Sequence, residues 1–182
     1  MAPQVQLLRN FRDNSILHTK AGSSFMTLFN AWYYSFSPPV ANQIANHWYE
    51  RVAMQGILYP MIGILGVSYE AYRVTSAYPE AAIVLAGLLA SSMLGAFYVG
   101  LPTGLVRARV KRFRANTLGR TLERVLAGAM LASSSALAIG ELAGASSVLM
   151  ISSAAVVLST MALSSTAVSN RVAQMSRGGK VN

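Results

Sequence analysis

The chain has 182 residues, with 15 Lys and Arg against 6 Asp and Glu, which gives a formal net charge of +9. Hydrophobic residues make up 53% of the chain and charged residues 12%, whereas soluble domains contain about 25% charged residues. This shortage of charge excludes an ordinary water-soluble globule and indicates lipid as a second solvent. The absence of cysteine excludes disulfides, thiolate metal sites and thiol nucleophiles.

Residues 1–51 are predicted to form a helical, amphipathic region that lies at the membrane interface. Apolar residues recur there at roughly helical spacing: Val5, Leu7, Leu8, Phe11, Ile16 and Leu17. Gly22 breaks this pattern, and Ser23 or Ser24 is a candidate cap for a second helix rich in Trp and Tyr. Such side chains favour headgroup depth, so the second helix is expected at the interface. Pro38 and Pro39 are expected to end it and to start a third helix.

Four long apolar stretches follow, and they predict a four-span transmembrane region over residues 52–170. The predicted spans are 52–69, 81–106, 122–140 and 142–170. The second is expected to end at Pro102-Thr103-Gly104. The third is uncharged only over 125–140, about 24 Å of helix, so its preceding turn must contribute to crossing a core of roughly 30 Å. Residues 171–182 form a basic tail. The predicted fold class is an all-α integral membrane protein.

The basic residues fall asymmetrically about these four spans. Four consecutive crossings place 14 of the 15 Lys and Arg residues on one side, with only Arg73 opposite. The positive-inside rule then predicts a multi-pass protein of the cell membrane with both termini on the cytoplasmic side.

Residues 1 to about 70 resemble the CFI-box domain family. The matching residues are Leu8-Arg9-Asn10-Phe11-Arg12-Asp13, Gly22, Phe25, Tyr33-Tyr34, Ser37-Pro38-Pro39, Ala41, Ile44 and Leu58-Tyr59-Pro60. The chain lacks the Cys-Phe-Ile box for which the family is named. The resemblance implies a membrane or cell-envelope protein of an archaeon, often an ammonia-oxidising one, and it implies no reaction.

A cluster of basic residues follows the second span. It consists of Arg107, Arg109, Lys111, Arg112 and Arg114. These residues could hold anionic lipid headgroups or contact a partner, at roughly 1 kcal/mol per residue near the surface. Alternatively, they only determine topology. Nucleic acid is disfavoured, because the basic residues border apolar segments and Phe113 is the only aromatic residue among them.

Two further groups of residues are candidates for structural roles. Small residues that let membrane helices approach closely are Gly63, Gly66, Gly87, Ser91 and Gly95. Arg9, Arg12 and Asp13 on the first helix are expected to form a structural ion-pair cluster instead of a catalytic group.

No catalytic, metal or cofactor site is predicted. His18 and His47 are the only histidines and have no clustered ligands nearby, and the spans hold between their ends no ionisable residue of the kind that proton and ion pathways use. The predicted function is therefore a non-catalytic accessory subunit that packs against other integral membrane subunits. The resemblance suggests a respiratory or ammonia monooxygenase-type complex as its host. A homo-oligomeric channel or permease is one alternative, and a protein that organises anionic lipids is another.

Overall fold

The computed structural model describes residues 3–109 and 117–178, and every element in these two ranges is helical. The helices are α1 (Pro3–Phe11), α2 (Lys20–Asn46), α3 (Trp48–Val74), α4 (Pro79–Leu94), α5 (Leu101–Arg109), α6 (Thr117–Ala143) and α7 (Ser146–Gly178). Two π-helical segments, Arg12–Ile16 and Gly95–Gly100, complete the set. The predicted all-α class is confirmed.

Four helical stretches are long and apolar enough to cross a membrane, as predicted. They are Trp48–Val74, Pro79–Arg109, Thr121–Ala143 and Ser146–Ser176. The uncharged residues 125–140 of the third span are too few to cross the core. Helix α6 begins earlier, at Thr117, and this supplies the additional turn. The 23 residues of this span extend about 35 Å at 1.5 Å per residue, enough for the hydrocarbon core.

The second span continues past the predicted stop at Pro102-Thr103-Gly104 and ends at Arg109. The π-helical segment Gly95–Gly100 ends two residues before Pro102, and Leu101 N–H bonds back to the Ala96 carbonyl across five residues. Because a π-turn is wider than an α-turn, it leaves room for a proline ring that would otherwise clash with the preceding turn. The prediction that this span ends at Pro102 is wrong.

Helix α2 also runs through a predicted stop, because Pro38 and Pro39 lie inside it. Each proline has a fixed φ that a helix accepts, but it removes one backbone hydrogen bond and its ring crowds the carbonyl four residues back, so other contacts must support the helix here. Aromatic contacts one turn apart support the turns before the prolines, with ring centroids 6.0 Å apart for Phe29 and Tyr33 and 4.7 Å apart for Trp32 and Phe36. The chain leaves the helix only at His47, whose backbone is extended.

Thr19, not Ser23 or Ser24, caps the start of α2. Its side chain accepts a hydrogen bond from Gly22 N–H at 3.2 Å and donates to the Ile16 carbonyl at 2.8 Å. Gly22 therefore lies in the first turn of the helix, where a Cβ would come within 2.9 Å of Ile16 Cγ2. The missing side chain of Gly22 leaves room for Ile16 in the turn that precedes α2, and Gly22 does not end a helix.

The spans form a bundle around α7. Helices α4 and α5 run parallel to α7, α6 lies antiparallel to α7, and α3 lies antiparallel to α4. The core lies at the end of the bundle where α4 and α7 begin, and its members are Phe11, Ala21, Ile83, Ala86, Leu137, Leu149 and Val156. We call this the Glu80 end. The opposite end, where α3 and α6 begin and α5 and α7 finish, is the Arg107 end.

Candidate functional site

Three glycines of the second span face α7 and allow close contact between the two helices. A Cβ on Gly95 would overlap the carbonyl oxygen of Met161 and lie 2.9 Å from its carbonyl carbon. A Cβ on Gly100 or Gly104 would lie 2.9 or 2.8 Å from the Cβ of a valine on α7. The two backbones thus meet with no side chain between them, which is how membrane helices gain packing energy.

The small residues predicted for helix packing lie in two different environments. Ser91 and Gly95 are buried, and the Ser91 hydroxyl donates to the Gly87 carbonyl at 2.8 Å. A Cβ on Gly63, Gly66 or Gly87 would meet nothing within 4 Å. No other described part of the chain therefore occupies the space beside these three glycines, although they lie on spans.

Sequence reasoning missed Gly100 and Gly104. The spacing of five residues from Gly95 to Gly100 does not match the four-residue repeat of an α-helical face, but it matches the π-helical turn that joins them. Gly104 had been assigned to the end of the span because it follows Pro102. A search for glycines at mixed spacings of four and five would have found the whole face.

A polar cluster ties three helices together at the Arg107 end. The Asn170 side-chain amide donates to the Glu123 carboxylate, with Nδ2 and Oε1 2.7 Å apart. Arg107 Nη1 donates to Asn170 Oδ1 at 3.3 Å, and all three residues are half-buried. Because a buried charge needs partners, this chain of bonds fixes α5 and α6 to the last turns of α7.

This polar cluster changes the interpretation of the basic residues. Arg107 takes part in packing inside the chain, whereas Arg109 is exposed at the end of α5. Lys111, Arg112 and Arg114 lie outside the described residues. Sequence reasoning did not select Glu123 or Asn170, because they are 47 residues apart and only the fold brings them together.

The predicted ion pair in the amino-terminal segment is present between Arg12 and Asp13. Their Nε and Oδ1 atoms lie 2.7 Å apart on the exposed surface. The hydrogen bond from Arg12 lowers the pKa of the Asp13 carboxyl, and the charge of Arg9 lowers it further. Exposed pairs of this kind contribute little to stability. The pair therefore does not hold the amino-terminal segment against the rest of the bundle.

Other contacts anchor the amino-terminal segment to the Glu80 end. The Phe11 ring packs edge-on against Tyr69, with centroids 5.2 Å apart, and lies 5.6 Å from the Tyr72 ring. The backbone N–H groups of Lys20 and Ala21, at the start of α2, donate to the Glu80 carboxylate at 2.7 and 3.5 Å. A carboxylate at this position satisfies the free amides of the first turn and complements the helix dipole.

The hydroxyl groups of the serine-rich spans bond mainly to their own helices. Ser133 and Ser134 donate to the Met130 carbonyl, and Ser152 donates to the Val148 carbonyl, three or four residues back. Among the described residues, the buried Thr160 and Ser169 hydroxyls have no hydrogen-bond partner. In the same part of the chain, no group of three or more His, Cys, Asp or Glu side chains could hold a metal ion.

The fold and these contacts define a multi-pass α-helical membrane protein held together by a glycine-mediated helix contact and a polar cluster. Comparisons with protein-family models, with curated proteins and with solved structures gave no match. The resemblance of residues 1–70 to the CFI-box family stays a prediction.

Proposed function

We propose that this protein is a non-catalytic accessory subunit that packs against other integral membrane proteins within a larger complex. The observation that carries the proposal is an unoccupied glycine face on α3. It consists of Gly56, Gly63 and Gly66, and a Cβ on any of them would meet nothing within 4 Å. Gly56 and Gly63 are two helical turns apart and so share one side of the helix.

Glycine in the middle of a helix costs about 1 kcal/mol relative to alanine, so a set of glycines needs a compensating contact. On the second span, Gly95, Gly100 and Gly104 have that contact in α7. On α3 the same residue type faces away from the described chain, and only 11% of the apolar window of this span is buried. Flexible lipid chains gain little packing energy from an exposed glycine face, whereas another helix gains packing energy there because the two backbones can approach closely. A helix of a partner subunit is therefore the occupant we propose.

The third span supports the same conclusion. Only 11% of its window is buried, and a Cβ on Gly128 would meet nothing within 4 Å. Helix α6 packs mainly on α7, and most of the rest of its surface is not covered by other described helices. The third and first spans thus both leave most of their surface exposed outside the bundle, as expected of a subunit that packs against other proteins.

The identity of the host complex is proposed from the resemblance of residues 1–70 to the CFI-box family. If residues 1–70 belong to the CFI-box family, a respiratory or ammonia monooxygenase-type complex in the cell membrane of an ammonia-oxidising archaeon is the proposed setting. Exposed Arg109 and the basic residues after it would then contact anionic headgroups or a partner at the membrane surface.

Native gel electrophoresis after mild-detergent extraction tests the proposal with a matched pair of variants. The wild-type chain is expected in a large assembly, and Gly63→Leu is expected to release it without changing its own helical content. Ile57→Leu alters an exposed residue of the same helix that lies about 100° or more around the helix axis from each of the three glycines, and it should leave the assembly intact. Migration of the wild-type chain alone, at 19.4 kDa plus detergent, contradicts the proposal.

A further inference from the structure

We propose that α2 crosses the membrane as a fifth span, with its aromatic surface in contact with lipid acyl chains. The amino-terminal segment then lies on the opposite side from the carboxyl terminus. This topology differs from the interfacial helix and the common side for both termini that the sequence predicts. It is independent of whether the protein has partner subunits.

The positions of the two ends of α2 carry the argument. At its start, the Lys20 and Ala21 amides are bonded to Glu80, at the beginning of α4. At its finish, only His47 separates it from Trp48, the first residue of α3. Helix α3 spans from there back to the α3–α4 turn, which lies beside Glu80. Helices α2 and α3 therefore each run from one end of the bundle to the other. If α3 crosses the membrane, α2 crosses it too.

The start of α2 has a second contact at the Glu80 end. Ser24 and Thr27 line an open groove of about 250 Å³ together with residues from the first turns of α7, Ser146, Ser147 and Met150. The other end of α2 is tied to the start of α3, where Arg51 Nη2 donates to the Ala45 carbonyl at 2.9 Å. The anchoring of the two ends therefore does not rest on Glu80 alone.

The length and surface of α2 match a bilayer. Its 27 residues extend about 40 Å, which covers the hydrocarbon core and part of both headgroup regions. Lys20 and Glu50 are the nearest charged residues on either side of its interior. Large apolar side chains are exposed along it: Leu28, Phe29, Trp32, Tyr33, Tyr34, Phe36 and Val40. A continuous apolar surface of this kind is unfavourable in water and favourable in lipid.

The polar residues and prolines of α2 are compatible with this placement. Three of its four amide side chains, Asn42, Gln43 and Asn46, lie in its last turns, at headgroup depth in this placement, and the fourth, Asn30, is the amide exposed within the hydrocarbon core. Pro38 and Pro39 lie inside the helix, and membrane helices tolerate proline because Ser and Thr side chains, ordered water, neighbouring helices or local changes in helical geometry satisfy the freed backbone groups. The weak hydropathy of α2 comes from its Asn, Gln, Ser and Tyr content and not from charge.

Five crossings reduce the asymmetry of the basic residues from 14 of 15 to 11 of 15 on one side, but they keep its direction. The Glu80 end then carries four basic residues, Arg9, Arg12, Lys20 and Arg73, and four acidic ones, Asp13, Glu70, Glu80 and Glu141. The remaining 11 of the 15 basic residues, and the whole net charge of +9, belong to the opposite side. The positive-inside rule still applies to this distribution, and it places the carboxyl terminus in the cytoplasm and the amino-terminal segment outside.

Thiol accessibility tests the topology directly, since the chain has no cysteine and each introduced thiol is unique. Four exposed positions report the two ends: Asn14→Cys and Ser76→Cys at the Glu80 end, and Asn46→Cys and Ser176→Cys at the Arg107 end. In spheroplasts and in inside-out vesicles, a membrane-impermeant maleimide should label the first pair from one side and the second pair from the other. Labelling of Asn14→Cys and Asn46→Cys from the same side overturns the proposal. Labelling of all four in detergent is the control.

A second measurement tests lipid as the occupant of the aromatic surface. Tyr34 lies 14 residues after Lys20, about 21 Å along α2 and so near mid-membrane. A bimane fluorophore on Tyr34→Cys should lose its fluorescence in bilayers of lipids brominated at mid-chain, while one on Ser176→Cys should not. Unquenched fluorescence at Tyr34→Cys overturns the proposed lipid contact. A disulfide-linked dimer of that variant on oxidation also overturns it, because a second copy would then cover the surface.

Discussion

Gly95→Ala is expected to destabilise the bundle, because it places a methyl group where the second span meets α7. The added Cβ would overlap the carbonyl oxygen of Met161 and lie 2.9 Å from its carbonyl carbon, closer than the ordinary contact range of 3.4 to 4 Å. A backbone carbonyl cannot rotate away as a side chain does, so the two helices must separate. The separation would also weaken the neighbouring contacts at Gly100 and Gly104.

Two opposing effects determine the size of the loss. Alanine is favoured over glycine in a helix by about 0.8–1 kcal/mol, and overpacking of a well-filled interface costs about 1–3 kcal/mol. The rigid backbone contact favours the upper part of that range, so Gly95→Ala should lower the free energy of unfolding by about 1–2 kcal/mol. Gly87→Ala, eight residues earlier on the same helix, adds its Cβ to open space and should be neutral or slightly stabilising.

The two variants can be compared by reversible unfolding in mixed micelles of mild detergent and SDS, followed by far-UV circular dichroism. The expected difference between them is about 1–3 kcal/mol, with Gly95→Ala the less stable. Equal stability of the two variants would refute the reasoning, since it would mean that the second span and α7 do not meet at Gly95.

Three further predictions concern the polar contacts. Glu80→Ala should speed hydrogen exchange of the first α2 amides and cost about 0.5–2 kcal/mol, as the loss of a helix cap does, and unchanged exchange would contradict the contact. Asn170→Leu should leave the Glu123 carboxylate without its 2.7 Å partner and lower the unfolding free energy by about 1–3 kcal/mol, whereas Asn170→Gln should lose less. Arg12→Gln should raise the pKa of Asp13 toward its usual value in a carboxyl NMR titration. Because pairing lowers that pKa, the pair is present above the unfolded-state pKa and is lost as the pH falls through the folded-state value.

The membrane-spanning class was predictable from the sequence, because in lipid the absence of charge over some twenty residues outweighs local preferences. Helix ends were less predictable. Pro38, Pro39 and Pro102 all suggest a stop by local rules, yet each lies within a helix. Those rules describe helices whose freed backbone groups can bond to water, and for Pro102, which lies in a span, that alternative is absent in the core of a bilayer.

The candidate site was only partly predictable. Ser91 and Gly95 share a face by spacing, so sequence reasoning could find them, whereas Gly100 depends on a π-helical turn that no periodicity indicated. The Glu123–Asn170 contact joins residues far apart in the chain, and without the fold neither residue stands out. The position of α2 beside the spans was not predictable for the same reason, because the bond to Glu80 that locates its start is a tertiary contact.

Native mass spectrometry of the protein released directly from its own membrane vesicles tests the central claim, that the chain is a subunit of a larger membrane complex. The account predicts a mass well above 19.4 kDa that is not a whole multiple of it, with other polypeptides released on activation. A mass of 19.4 kDa alone, or a whole multiple of it with no second polypeptide, would contradict the account.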